Sequence, residues 1–122
     1  MKYRRLFEDA QGESHWEDVP VKMAQTVFTP PAPEMSMSEF NDAKRYAFLR
    51  LPVGWEGDWH PSPKRQMIII VSGDVEIVAS DGEAHRFPAG YAVLLEDTEG
   101  KGHVTRVIGN FDVLATVIQL EE

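Results

Sequence analysis

From Lys44 onward the chain is a succession of short β-favouring runs, each closed by turn residues, with the punctuation returning every eight to twelve residues. That rhythm constrains the fold more than any other feature. It leaves no stretch long enough for a helix of ordinary length, and no ten-residue helical pattern is found. The runs are Arg45–Val53, Gln66–Val71, Val75–Ala79, Ala84–Phe87, Tyr91–Leu95, His103–Ile108 and Val113–Leu120. Between them stand Ser72-Gly73-Asp74, Ser80-Asp81-Gly82-Glu83 and Pro88-Ala89-Gly90, residue types that supply positive φ or fix it. Short strands in this rhythm predict an all-β sandwich or barrel. The last run is largely apolar and is expected in the middle of a sheet.

The N-terminal third reads differently. Tyr3–Phe7 and Ser14–Val21 flank the turn chemistry of Asp9-Ala10-Gln11-Gly12 and predict a hairpin. Thr29-Pro30-Pro31-Ala32-Pro33 loses amide donors and has φ fixed, so it predicts an irregular connection. Glu34–Asn41 is compatible with a short strand or a loop. The expected layout is one domain over 1–122, with a hairpin and proline-rich connection in 1–43 and a barrel core in 44–122.

Composition narrows the function classes. The chain has no cysteine, which removes a disulfide framework, a thiolate metal site and a cysteine nucleophile. A formal net charge of −8 argues against nucleic acid and against an anionic membrane surface as partners. Its longest apolar run, Met67–Val71, is far too short to span a bilayer, and the basic pair Arg4-Arg5 is not followed by the apolar stretch of a signal peptide. The expected location is the cytoplasm. No glycine loop of the phosphate-cradling kind and no glycine-flanked nucleophilic serine occurs, so no nucleotide cofactor is expected.

The chemistry gathers around two histidines. Gly54 is followed by five residues, His60, one residue, Ser62, three residues, Gln66, six residues and Gly73. Later, Gly90 is followed by five residues, Glu96, six residues, His103, three residues and Val107. The first spacing resembles the first motif of the cupin superfamily, Gly-X5-His-X-His-X3–4-Glu-X6-Gly, at every position. The second resembles the family's second motif with a loop two residues longer before the histidine. Together they cover under half of the chain. The resemblance implies a cupin-type double-stranded β-helix, the jelly-roll barrel.

It further implies that His60, Gln66 and His103 hold a divalent transition metal (zinc, iron, manganese or nickel) inside the barrel. Ser62 stands where the family has a second histidine, and Gln66 where it has the glutamate. A neutral hydroxyl is a poor metal ligand, and no anionic ligand remains in the set. Glu96 could offer a carboxylate from its loop. Aromatic and cationic residues crowd the motif. Trp59 is next to His60, and Tyr46, Phe48 and Arg50 share one face of the preceding strand, so these four with Ser62 are the candidate substrate-binding residues. An arginine at the mouth would suit a carboxylate. His15 and His85 have no motif support, and His85 is expected at the surface of an edge strand.

Three functions stay open on these residues. The first is a metal-dependent enzyme of isomerase or dioxygenase type acting on a small organic or sugar acid. The second is a non-catalytic ligand-binding barrel without metal. The third is a metal-free enzyme using a histidine as acid or base. A homodimer is also expected, because small cupins pair through edge strands.

Overall fold

A computed structural model describes residues 1–122 and shows eleven strands and no helix. In chain order they are β1 (Lys2–Glu8), β2 (Ser14–Pro20), β3 (Ala24–Thr26), β4 (Met35–Met37), β5 (Arg45–Leu51), β6 (Gln66–Ser72), β7 (Asp74–Ala79), β8 (Ala84–Pro88), β9 (Ala92–Leu95), β10 (His103–Val107) and β11 (Val113–Gln119). No helix is long and apolar enough to cross a membrane. A six-stranded sheet runs β2-β1-β9-β6-β11-β5, and a three-stranded sheet runs β10-β7-β8. All pairings are antiparallel except β1 with β9. The expected all-β barrel is therefore present, and β11 lies inside its sheet, between β6 and β5.

The period-two alternation of each strand explains the layering. In β7, Val75, Ile77 and Ala79 are buried while Asp74, Glu76 and Val78 are half-buried on the other face. In β11, Val113 and Ala115 turn inward. The core forms where the two sheets meet: Leu6, Ile70, Val93, Val113 and Ala115 from one, Val75, Ile77, Ala79, Phe87 and Val107 from the other. Gly73 turns β6 into β7 at φ +84°, where a Cβ would stand 2.6 Å from the Asp112 carbonyl oxygen. Only glycine meets both conditions.

Two details of the N-terminal third differ from the sequence reading. The β1–β2 hairpin is not an appendage to a barrel that begins at residue 44. β1 sits within the main sheet, and Leu6 is fully buried. The proline-rich segment is irregular as expected, but it links β3 to β4, which pair as a small ribbon of their own. Glu34–Asn41 thus contains a three-residue strand followed by loop.

The β1–β2 turn is tied to the β7–β8 turn by His15. Its Nε2 lies 2.8 Å from an Asp9 carboxylate oxygen, and its Nδ1 lies 3.0 Å from one of Asp81. Hydrogen bonds to Asp9 and then to Asp81 raise the His15 pKa above its ordinary value. A pKa raised in the folded state means stability that is fully present below about pH 6.5 and lost as pH rises through the higher folded value. The melting temperature of the native protein should exceed that of His15→Gln most in mildly acidic buffer. The gap should close as the pH is raised past the histidine range, and a gap independent of pH would contradict this tie.

Candidate functional site: a barrel cavity closed by two histidines

His60 and His103 stand 43 positions apart in the chain, yet their backbones are bonded to each other. The His60 N–H donates to the His103 carbonyl at 3.1 Å, and the His103 N–H donates to the His60 carbonyl at 3.0 Å. A second bridge joins Glu56 to Arg106, so the 56–60 segment runs antiparallel along β10. The close approach depends on Gly102. It has φ +76°, and a Cβ there would fall 2.0 Å from the His60 carbonyl oxygen. The two imidazole rings end up 4.9 Å apart between centroids.

Below them lies a cavity of about 210 Å³ between the sheets. Its wall is mostly aliphatic, built from inward residues such as Leu49, Ile68, Ile70, Ile77 and Val117, with Trp55 as its one aromatic side chain other than the histidines. The polar lining consists of His60, Ser62, Gln66, His103 and Thr105, and no lysine, arginine, aspartate or glutamate lines it. The sequence-predicted metal set His60, Gln66 and His103 is thus brought to one cavity, together with Ser62. His103 and Gln66 are buried, whereas His60 is exposed and stands at the rim.

The polar atoms are already partly committed. His103 Nδ1 lies 2.6 Å from a carboxylate oxygen of Asp97, a residue with no exposed surface. His60 Nδ1 lies 2.8 Å from the Asp58 carbonyl oxygen. A carbonyl and a carboxylate can only accept here, so both imidazoles carry their proton on Nδ1 when neutral. Each then offers a bare Nε2. The Ser62 hydroxyl donates to the Lys64 carbonyl at 2.7 Å, closing its own loop. Its N–H donates to the Asp97 carbonyl, which holds the 97 loop against the motif. Gln66 Oε1 accepts a hydrogen bond from Gln119 Nε2 at 3.0 Å.

Four of the candidate substrate-binding residues do not reach this cavity. Tyr46, Phe48 and Arg50 share one face of β5, as their parity requires, but it is the outer face. Tyr46 is 73% and Phe48 81% exposed. Their odd-numbered neighbours Leu49 and Leu51 point inward instead. Arg50 bonds to Asp112 at the surface. Trp59 is exposed, and Trp55 lines the cavity in its place. Glu96 also points away from the cavity, held between Arg5 and Arg65. Burial pushes its carboxyl pKa up, but hydrogen bonds from Arg65 and Arg5 outweigh this and hold it below the ordinary glutamate range. Sequence reasoning missed Asp97, whose run Glu96-Asp97-Thr98-Glu99 has the composition of a solvated loop.

The donor set does not fit the implied metal. A catalytic zinc centre takes three protein ligands besides water. Here two imidazoles are presented through Nε2, but the Ser62 hydroxyl is turned to Lys64 and Gln66 Oε1 is turned to Gln119. No group of three histidine, aspartate or glutamate side chains is placed to share an ion. Two neutral nitrogens leave zinc, iron, manganese or nickel short of both ligands and countercharge.

No family model matches the sequence, and no curated protein matches it. Among solved structures, the chain is similar to the cupin domain of Cnp3 from Schizosaccharomyces pombe, at 16% identity over 99% of this chain and 83% of that one, with a TM-score of 0.49. It is similar to an RmlC-like cupin protein from Desulfovibrio desulfuricans at 13% identity, over 95% of this chain and 80% of that one, with a TM-score of 0.44. A conserved protein of unknown function from Streptococcus pyogenes shares 24% identity over 70% of this chain and 72% of that one, with a TM-score of 0.46. By its own strand order, a six-stranded and a three-stranded sheet facing each other across one core, the chain is a small all-β double-sheet barrel.

Proposed function

We propose that this barrel binds one small, uncharged and mostly apolar molecule in its cavity, and that it does so without a metal. The observation that carries the reading is the lining: an aliphatic wall, a few polar atoms near the two histidines, and no lysine, arginine, aspartate or glutamate. Ligand pockets in general are apolar with a few placed polar groups that fix orientation. An organic or sugar acid fits this wall poorly. No lysine or arginine lines the cavity to pair with a carboxylate, and desolvating one unpaired is costly.

Naphthalene is a suitable probe, being neutral, apolar and fluorescent. Titration should give a dissociation constant of about 10–100 µM, roughly 0.5–0.7 kcal/mol for each of some ten buried carbon atoms, between the limits for tiny and for drug-sized ligands. Ala115 is buried and lines the cavity, so Ala115→Phe places a ring where the probe would lie. That variant, with its fold checked by circular dichroism, should lose at least about tenfold in affinity. Equal binding by the two proteins would put the probe elsewhere and defeat the reading. Titration in the presence and absence of a chelator should give the same constant.

A further inference from the structure

We infer that the cavity selects a ligand carrying a hydroxyl on an apolar body, a phenol or an alcohol, because His103 meets it as a hydrogen-bond acceptor held in that state by Asp97. The inference rests on the binding reading above and names the chemical class of the ligand.

The geometry leads there in three steps. Asp97 is wholly buried, and its Oδ2 lies 2.6 Å from His103 Nδ1. Its other oxygen, Oδ1, has no hydrogen-bond partner at all. The carboxylate therefore has His103 as its only side-chain partner, and the ring must give it the Nδ1 proton. In the neutral ring, the lone pair of His103 is then fixed on Nε2. His103 is only 3% exposed and lines the cavity, so that lone pair is withdrawn from bulk water but open to whatever fills the space.

A buried acceptor left without a donor costs free energy, so an occupant that expels cavity water must replace the donor it removes. A hydrocarbon cannot, and neither can an ether or a ketone, which only accept. A hydroxyl can. His60 presents Nε2 in the same way through its Asp58 contact, but it is exposed and keeps water as a partner, so it imposes no such demand. Asp97 does not reach the ligand. It is a positioning residue acting through His103.

The test compares 2-naphthol with 2-methoxynaphthalene and naphthalene, all with chelator present. On the native protein, 2-naphthol should bind about tenfold more tightly than either of the others. Asp97→Leu fills similar space but removes the acceptor that locks the ring. It should reduce that preference to about threefold or less while leaving the naphthalene constant near its native value. His103→Phe, which keeps a ring at the site, should abolish the preference. It serves as the second variant should Asp97→Leu fail to fold. Imidazole ¹⁵N shifts give a separate readout that a merely structural role for Asp97 would not move. His103 should be protonated on Nδ1 and bare on Nε2 in the native protein, and a mixture of tautomers in Asp97→Leu. If the native protein binds all three probes equally, the donor-selecting role is overturned while the cavity reading stands. If the preference survives in His103→Phe, another group supplies the acceptor and the inference is overturned. If none of the three binds, the cavity reading fails and the inference fails with it.

Discussion

Gly102→Ala should be among the most damaging single-atom changes available in this chain, with a loss of about 3 kcal/mol or more in urea unfolding. Two costs combine. The first is conformational: Gly102 has φ +76°, a region that costs an L-residue with a Cβ roughly 1–2 kcal/mol. The second is contact. The new Cβ would sit 2.0 Å from the His60 carbonyl oxygen and 2.4 Å from the Pro61 nitrogen, both backbone atoms that cannot rotate away. Relief requires the 56–60 segment to move off β10, which breaks the paired bonds between His60 and His103. Binding should therefore fall together with stability. Gly90→Ala is the control. Gly90 has φ +91° but nothing within 4 Å of a Cβ, so only the conformational cost applies, about 1–2 kcal/mol. Equal losses for the two variants would show that the close approach at Gly102 contributes nothing.

Asp97→Ala should lower stability by about 2 kcal/mol, the balance of opposing terms. The variant loses a buried charge-assisted bond to His103, leaves the Nδ1–H without an acceptor, and opens a void. Against this, it removes a carboxylate with no exposed surface and an unpartnered Oδ1, which is costly to bury in the native state. The loss should win because a single Ala change abandons the partner that remains. Asp97→Leu combined with His103→Phe removes both polar groups, and the pair should be clearly less destabilised than the sum of the single changes. Urea titration of the four proteins measures this coupling. Simple additivity would mean that the Asp97–His103 contact has no energetic role.

Much of the fold is legible in the sequence because the deciding interactions are local. The turn at Gly73 and the one at Gly90 are marked by residue types that positive φ demands, and strand ends follow from them. The face of a strand is a different matter. In β5 the even set Tyr46, Phe48 and Arg50 and the odd set Ala47, Leu49 and Leu51 are both apolar enough to be inward. Parity groups them correctly, but only the partner sheet decides which set is covered, and it covers the leucines. The three-residue strands β3 and β4 carry too little pattern to be seen across a proline loop.

The site divides in the same way. The meeting of His60 with His103 is legible through motif spacing, since both flank the same end of the barrel. What the spacing does not carry is how each polar atom is used. Ser62 and Gln66 occupy ligand positions, yet one hydroxyl closes a local turn and one amide oxygen serves a neighbouring strand. Asp97 hides in an acidic stretch where Glu96 and Glu99 have ordinary loop character. Burial is a property of the folded chain, and nothing local distinguishes the one carboxylate that is fully covered.

The central claim, a ligand held between the sheets beneath the two histidines, is tested most directly by methyl NMR. The protein would be labelled at isoleucine and valine methyls and titrated with 2-naphthol. Strand alternation supplies internal controls, because Ile70, Ile77 and Val113 line the cavity while Ile69 and Val71 lie on the outer face. The account predicts shift changes and ligand-to-methyl Overhauser contacts at Ile70, Ile77 and Val113, with Ile69 and Val71 unmoved. Contacts confined to Ile69 and Val71, or a titration that leaves all five unchanged, would contradict it.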